Sequence, residues 1–112
     1  AAAAALAGER GRVGAFADVS AADVVINATP IGMGSDPGTP IEPTLLRAGQ
    51  VVVDLIYHPA RTALLDAAVA AGAKAVNGLP MLLHQAAMQL ELWTGVAAPV
   101  AAMRDVVAAN FS

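Results

Sequence analysis

"QVVVDLIY", residues Gln50 to Tyr57, is the stretch whose reading decides the fold. Its apolar run is near-continuous rather than alternating. A strand with one wet face alternates apolar and polar residues, so a run of this kind predicts burial on both faces, as in a parallel sheet. Asp54 interrupts the run. A carboxylate on a buried strand must be matched by partners, either nearby loop amides or a ligand.

The pattern on either side agrees with that reading. Downstream, "RTALLDAAVAAGA" carries Leu64, Leu65, Ala68, Val69 and Ala71 at helical spacing, with Gly72 as a natural C-cap. "AKAVN" predicts a third strand. "NGLPMLLHQAAMQLELWTG", Asn77 to Gly95, predicts a helix of about four turns. Pro99 marks the start of a final amphipathic helix, "VAAMRDVVAANF". Upstream, "DVVINAT", Asp23 to Thr29, predicts another buried strand. The segment after it, "PIGMGSDPGTPIEP", has four prolines and three glycines in fourteen residues, which forbids regular structure. A short helical turn is expected over Thr44 to Ala48, a short strand at "GRVGAF", and the end of a helix over Ala1 to Glu9. Strand, loop, strand, helix, strand, helix is the order of an α/β fold with a parallel sheet.

Composition narrows the function classes. The 112 residues suit one domain, and 57% hydrophobic against 13% charged residues excludes disorder. Much of the apolar share is alanine, so the core buries little area per residue and a domain of this size is marginal alone. The net charge of −3 and the lack of a basic run argue against nucleic acid. There is no cysteine, and the two histidines lie far apart in sequence, which argues against a metal site. Residues 77–95 are oily, but Asn77, His84, Gln85, Gln89 and Glu91 interrupt them too often for a membrane span. No signal peptide is visible, and the expectation is a soluble cytoplasmic protein. The first residue is alanine, which suggests a fragment or a processed piece.

Open parallel sheets bind ligands beyond the carboxyl ends of their strands. Three predicted strand ends carry unusual residues: Asn27, Ala28 and Thr29; Asp54, Leu55, Ile56 and Tyr57; Asn77 and Gly78. Each has a plain structural alternative. Asn27 and Thr29 suit backbone satisfaction at a turn, Tyr57 suits a strand-end tyrosine with a wet hydroxyl, and Gly78 suits a helix entry. In the helix that follows, Met81, Gln85, Met88 and Leu92 fall on one stripe, and Leu83, Ala87, Leu90 and Thr94 fall roughly opposite. Both faces are apolar, which predicts a largely buried helix. Gln85 then either finds a backbone partner or faces a polar ligand; left unpaired in a core it would cost roughly 1–3 kcal/mol.

"DVVINATPIGM", "VVVDLIYHP", "TALLDAAVAAGAKAVNGLPMLLHQAAMQLELWTG" and the closing helix together resemble the C-terminal, cofactor-binding half of the shikimate dehydrogenase family, in the family's order and spacing. Pro80 departs from the family's usual glycine, at a helix-start position where proline is tolerated. The resemblance implies a partial Rossmann-like parallel sheet flanked by helices. It also implies NADPH-dependent reduction of 3-dehydroshikimate to shikimate. Carried over, Tyr57 and Gln85 would bind substrate. Gly78 would meet the nicotinamide amide through its backbone, with Met81 and Leu55 packing nearby, and Thr29 would lie along NADP. The closing helix would pack toward the substrate domain. The family's glycine-rich phosphate loop and catalytic Lys/Asp pair have no match in residues 1–112, so the expected chain is a fragment without a catalytic residue or meaningful turnover. Lys74, the only lysine, matches no catalytic position. Two other readings stand beside this one: a quinate/shikimate or aminoshikimate dehydrogenase relative, and a non-catalytic half-Rossmann module that self-associates through an exposed sheet edge.

Overall fold

The computed structural model describes residues 2–111; Ala1 and Ser112 lie outside them. Seven regular elements follow one another: α1 (Ala2–Leu6), β1 (Val24–Asn27), β2 (Val51–Asp54), α2 (Ala63–Ala70), β3 (Lys74–Val76), α3 (Leu79–Thr94) and α4 (Val100–Phe111). Short 3-10 turns occupy Gly8–Arg10, Phe16–Ala21 and Pro43–Leu45. The sheet has the order β1-β2-β3 and is parallel throughout, with Val24 opposite Val51 and Val52 opposite Ala75. The predicted α/β class and its parallel sheet are therefore present.

Register explains how the sheet is used. Val25, Asn27, Val52, Asp54 and Ala75 share one face, because side chains alternate along each strand and paired residues sit side by side. That face carries the core: Val52, Leu64 and Ala68 are buried with Leu46, and Val25 and Ala75 pack against them. The amphipathic stripe of α2 supplies Leu64, Leu65 and Ala68. Thr62 caps the helix by accepting from the Leu65 amide at 3.4 Å, and Gly72 leaves it with a positive φ of 77°. The opposite face presents Val24 and Ile26, which are 54% and 59% exposed.

Several sequence expectations need correction here. Neither β1 nor β2 is buried on both faces. The burial of β2 alternates half-buried and buried, and β1 is largely bare on one side. An apolar run reports that a strand can be covered twice, whereas burial also needs a second layer, and α2 is the helix that packs on this sheet. "GRVGAF" forms no strand; Asp18 instead accepts from the Ala15 amide and starts a 3-10 turn. The turn expected over Thr44–Ala48 lies earlier, at Pro43–Leu45, where proline favours the first helical position.

The third helix is also less buried than its two apolar faces predict. Only Leu83 and Ala87 are buried in α3, whereas Met88 and Leu92 are 71% and 83% exposed. The partner of α3 is α4, and the pair stands away from the sheet. The radius of gyration is 16.1 Å, against about 13 Å for a compact chain of 100 residues. Among the described residues no helix is long and apolar enough to cross a membrane.

Candidate active site at the carboxyl ends of the strands

A cleft of about 490 Å³ opens where β1 and β2 end. Residues from the segment after β1, including Thr29 and Met33, form one wall, and residues from Leu55 to His58 form the other. The volume lies in the usual range for small-molecule sites, roughly 300–1,000 Å³. The lining is mostly apolar, with Thr29, Tyr57 and His58 supplying polar groups.

The two walls are tied together below the cleft by a buried polar network. Asn27 and Asp54 are register partners at the last residues of β1 and β2. The Asn27 side-chain amide donates to Asp54 Oδ1 at 3.0 Å and to the Ile31 carbonyl at 3.3 Å. Its carbonyl oxygen accepts from the Thr29 amide at 2.9 Å and the Thr29 hydroxyl at 2.7 Å. Asp54 Oδ1 also accepts from the Ile56 amide at 3.1 Å, and Oδ2 accepts from the Thr62 hydroxyl at 2.6 Å. Asp54 is fully buried, with Asn27 and Thr62 nearly so. A buried carboxylate survives folding when its oxygens are occupied in this way. Of the two readings of Asp54, partnership within the protein describes what is seen.

The third strand end enters from behind. The Gly78 amide donates to the Ile56 carbonyl at 2.9 Å, and the Gly78 carbonyl accepts from Leu82 at 3.0 Å. A Cβ at residue 78 would lie 2.1 Å from the Leu55 carbonyl oxygen and 2.6 Å from its carbon. Only glycine fits that approach, although its φ of −75° is ordinary. Asn77 holds the same junction by donating to the Ala60 carbonyl at 3.0 Å and accepting from the Leu79 amide at 3.2 Å.

The six sequence-selected residues therefore separate into groups. Thr29, Leu55 and Tyr57 line one cleft, and Gly78 backs directly onto Leu55. Met81 lies at the first turn of α3, 45% exposed, and Gln85 lies one turn further along; neither lines the cleft. The Gln85 side-chain nitrogen donates to the Leu82 carbonyl at 3.1 Å, which gives the amide a backbone partner. Sequence reasoning missed Met33 and His58 as lining residues, and nothing in their local pattern marks them. It also missed Thr62, which a cap signal could have found: a threonine directly before "ALLD".

Comparison with known proteins follows the same lines. Residues 78–108 match the family model described as the Shikimate 5'-dehydrogenase C-terminal domain. A shikimate dehydrogenase (NADP(+)) of Afipia carboxidovorans is 43% identical over 110 residues, covering 94% of this chain and 40% of that protein. One from Methanocella arvoryzae is 48% identical over 85 residues, covering 76% of this chain and 32% of the relative. The chain thus spans about a third of the length of such relatives. The crystal structure of a Thermus thermophilus shikimate 5-dehydrogenase in complex with NADP(H) and shikimate superposes with a TM-score of 0.82 at 36% identity, over 92% of this chain and 40% of that one. A quinate dehydrogenase from Corynebacterium glutamicum in complex with NAD gives 0.78 at 39% identity, over 88% and 37%. Family model, relatives and solved structures all indicate that this chain corresponds to the C-terminal part of shikimate dehydrogenase.

Proposed function

We propose that these 112 residues form the C-terminal part of a dinucleotide-binding domain with its closing helices. The cleft between Thr29 and Tyr57 then receives the nicotinamide end of NADP in a protein that reduces 3-dehydroshikimate to shikimate. The carrying observation is a mostly apolar cleft at the carboxyl ends of parallel strands, in a chain this similar to a structure holding NADP(H) and shikimate. The fit is chemical as well as topological. Leu55 and Ile56 offer apolar surface to a flat ring. Gly78 has its amide committed to Ile56, which leaves the second lone pair of its carbonyl as its free hydrogen-bonding capacity, a match for a carboxamide NH₂. Bound NADPH would supply the hydride. Tyr57 and Gln85 would orient the hydroxylated ring from this side, with Met81 and Leu55 packing against the nicotinamide and Thr29 along the cofactor.

The cleft lining includes neither a lysine nor a carboxylate; its titratable groups are Tyr57 and His58, and under the proposed function the lining serves binding and orientation rather than proton transfer. Titration of the chain with NADPH, followed by nicotinamide fluorescence, should saturate. The same sample with 3-dehydroshikimate added should show no NADPH oxidation above buffer. Failure to saturate would remove the cofactor reading, and brisk oxidation would remove the claim of inactivity. A cytoplasmic setting goes with this reading.

The similarity to a quinate dehydrogenase favours a second substrate reading, since quinate and shikimate share a hydroxylated ring acid. The exposed Val24 and Ile26 favour self-association at the β1 side of the sheet, which sedimentation over a concentration series would detect.

A further inference from the structure

The Asn27–Asp54–Thr62 network touches both walls of the cleft without lining it. Its connections are specific. Asp54 Oδ1 holds the Asn27 amide group and the Ile56 amide, so one oxygen fixes the end of β1 against the backbone of the opposite wall. Through Asn27, whose side-chain oxygen accepts from both the amide and the hydroxyl of Thr29, the same carboxylate reaches the first wall. Oδ2 takes the Thr62 hydroxyl and so ties the start of α2 to the pair. Two backbone bonds also cross here. The Leu55 amide donates to the Asn27 carbonyl at 3.1 Å, before the walls diverge. The Gly34 amide donates to the His58 carbonyl at 3.1 Å and joins one wall to the other directly, so the side-chain network adds the tie at the base of the cleft.

We propose that Asp54 is a positioning residue that sets the separation and orientation of the two cleft walls, and thereby the affinity of the cleft for a nicotinamide dinucleotide, without contacting it. The affinity half rests on the function proposed above; the geometric half does not. Networks of this type transmit the loss of one member, because each remaining polar group stays buried with fewer partners. Removing the Thr62 hydroxyl therefore loosens Asp54 at Oδ2 and, through it, the Asn27 and Ile56 bonds on Oδ1.

The test compares Asp54→Asn, Thr62→Val and Thr62→Ser by amide hydrogen exchange and by NADPH titration. Exchange at Thr29 and Ile56, whose amides end on the network, should quicken in Asp54→Asn and Thr62→Val at least about tenfold more than exchange at Val52 in the core, whose own change reports the loss of global stability. Thr62→Ser, which keeps the hydroxyl, should restore the parent rates. The dissociation constant for NADPH should rise about tenfold in the same two variants and return in Thr62→Ser. Uniformly faster exchange, with wall and core amides moving together, would mean a purely structural role and would overturn the proposal, as would unchanged exchange at the walls. Should Asp54→Asn fail to fold, the Thr62 pair decides by the same criteria. A parent chain that shows selective wall loosening on substitution but never binds NADPH would defeat the cofactor reading and leave the geometric half standing.

Discussion

The strand-end network and the third helix make opposite use of their residue types. Asn27, Asp54 and Thr62 are polar and buried, and every one is matched by partners within about 3.4 Å. Met88, Leu92 and Trp93 are apolar and exposed. Burial is decided by whether a complementary surface is at hand, and hydropathy states only what a residue would gain from one. The polar cluster has its surface, because parallel register sets Asn27 beside Asp54 and the following turn brings Thr62 back. The outer stripe of α3 lacks one among the described residues, because α3 pairs with α4 and the pair leaves the sheet.

Substitutions should divide along that line. The largest effect is expected at Gly78→Ala, whose methyl group would overlap the Leu55 carbonyl at a rigid backbone-to-backbone contact. A loss of about 3 kcal/mol in urea-unfolding free energy is expected, the upper part of the overpacking range. A neutral result would mean that the α3 entrance can shift away from β2. Thr62→Val comes next, at about 2 kcal/mol, since it leaves Asp54 Oδ2 unpartnered and removes the cap of α2. Leu92→Lys on the exposed stripe should change the unfolding midpoint by no more than about 0.5 kcal/mol equivalent. A large loss there would show that the stripe is packed in solution and would erase the contrast.

The smallest effect concerns acid and the loop after β1. The Gly32 and Gly38 amides donate to the Asp36 carboxylate at 2.9 and 2.8 Å, first Gly32 and then Gly38 holding its pKa below the ordinary 3.8. A carboxyl whose folded pKa is depressed orders its surroundings above its unfolded value and releases them as pH falls through the folded one. The Gly32 and Gly38 amide resonances should therefore move together below about pH 4, with the core resonances unchanged at that stage. Asp36→Asn should show the released positions already at neutral pH.

The parts that were legible in the sequence are those fixed by local pattern. The Val51–Val53 run gave the central strand, the leucine and alanine spacing gave α2, and the punctuation of prolines and glycines gave the long loop. Asn27, Asp54 and Gly78 stood out because each is chemically awkward for its element. The parts that were not legible depend on tertiary partners. No local signal tells that Val24 and Ile26 face open space, that α3 turns toward α4, or that His58 and Met33 border the same cleft as Thr29. Gln85 shows both sides of this: its misfit was plain in the sequence, but its bond to the Leu82 carbonyl is a matter of rotamer. Under the function proposed above, Gln85→Ala in the full-length protein should weaken substrate binding far more than folding, checked by comparing KM with the unfolding midpoint.

The most direct test of the cleft assignment is an amide chemical-shift titration of the chain with NADPH. The expected result is that the largest changes fall on Thr29, Leu55, Tyr57 and Gly78, with the Ala63–Ala70 helix nearly silent. Changes centred on α2 or on the outer stripe of α3, with those four residues unmoved at saturation, would contradict it.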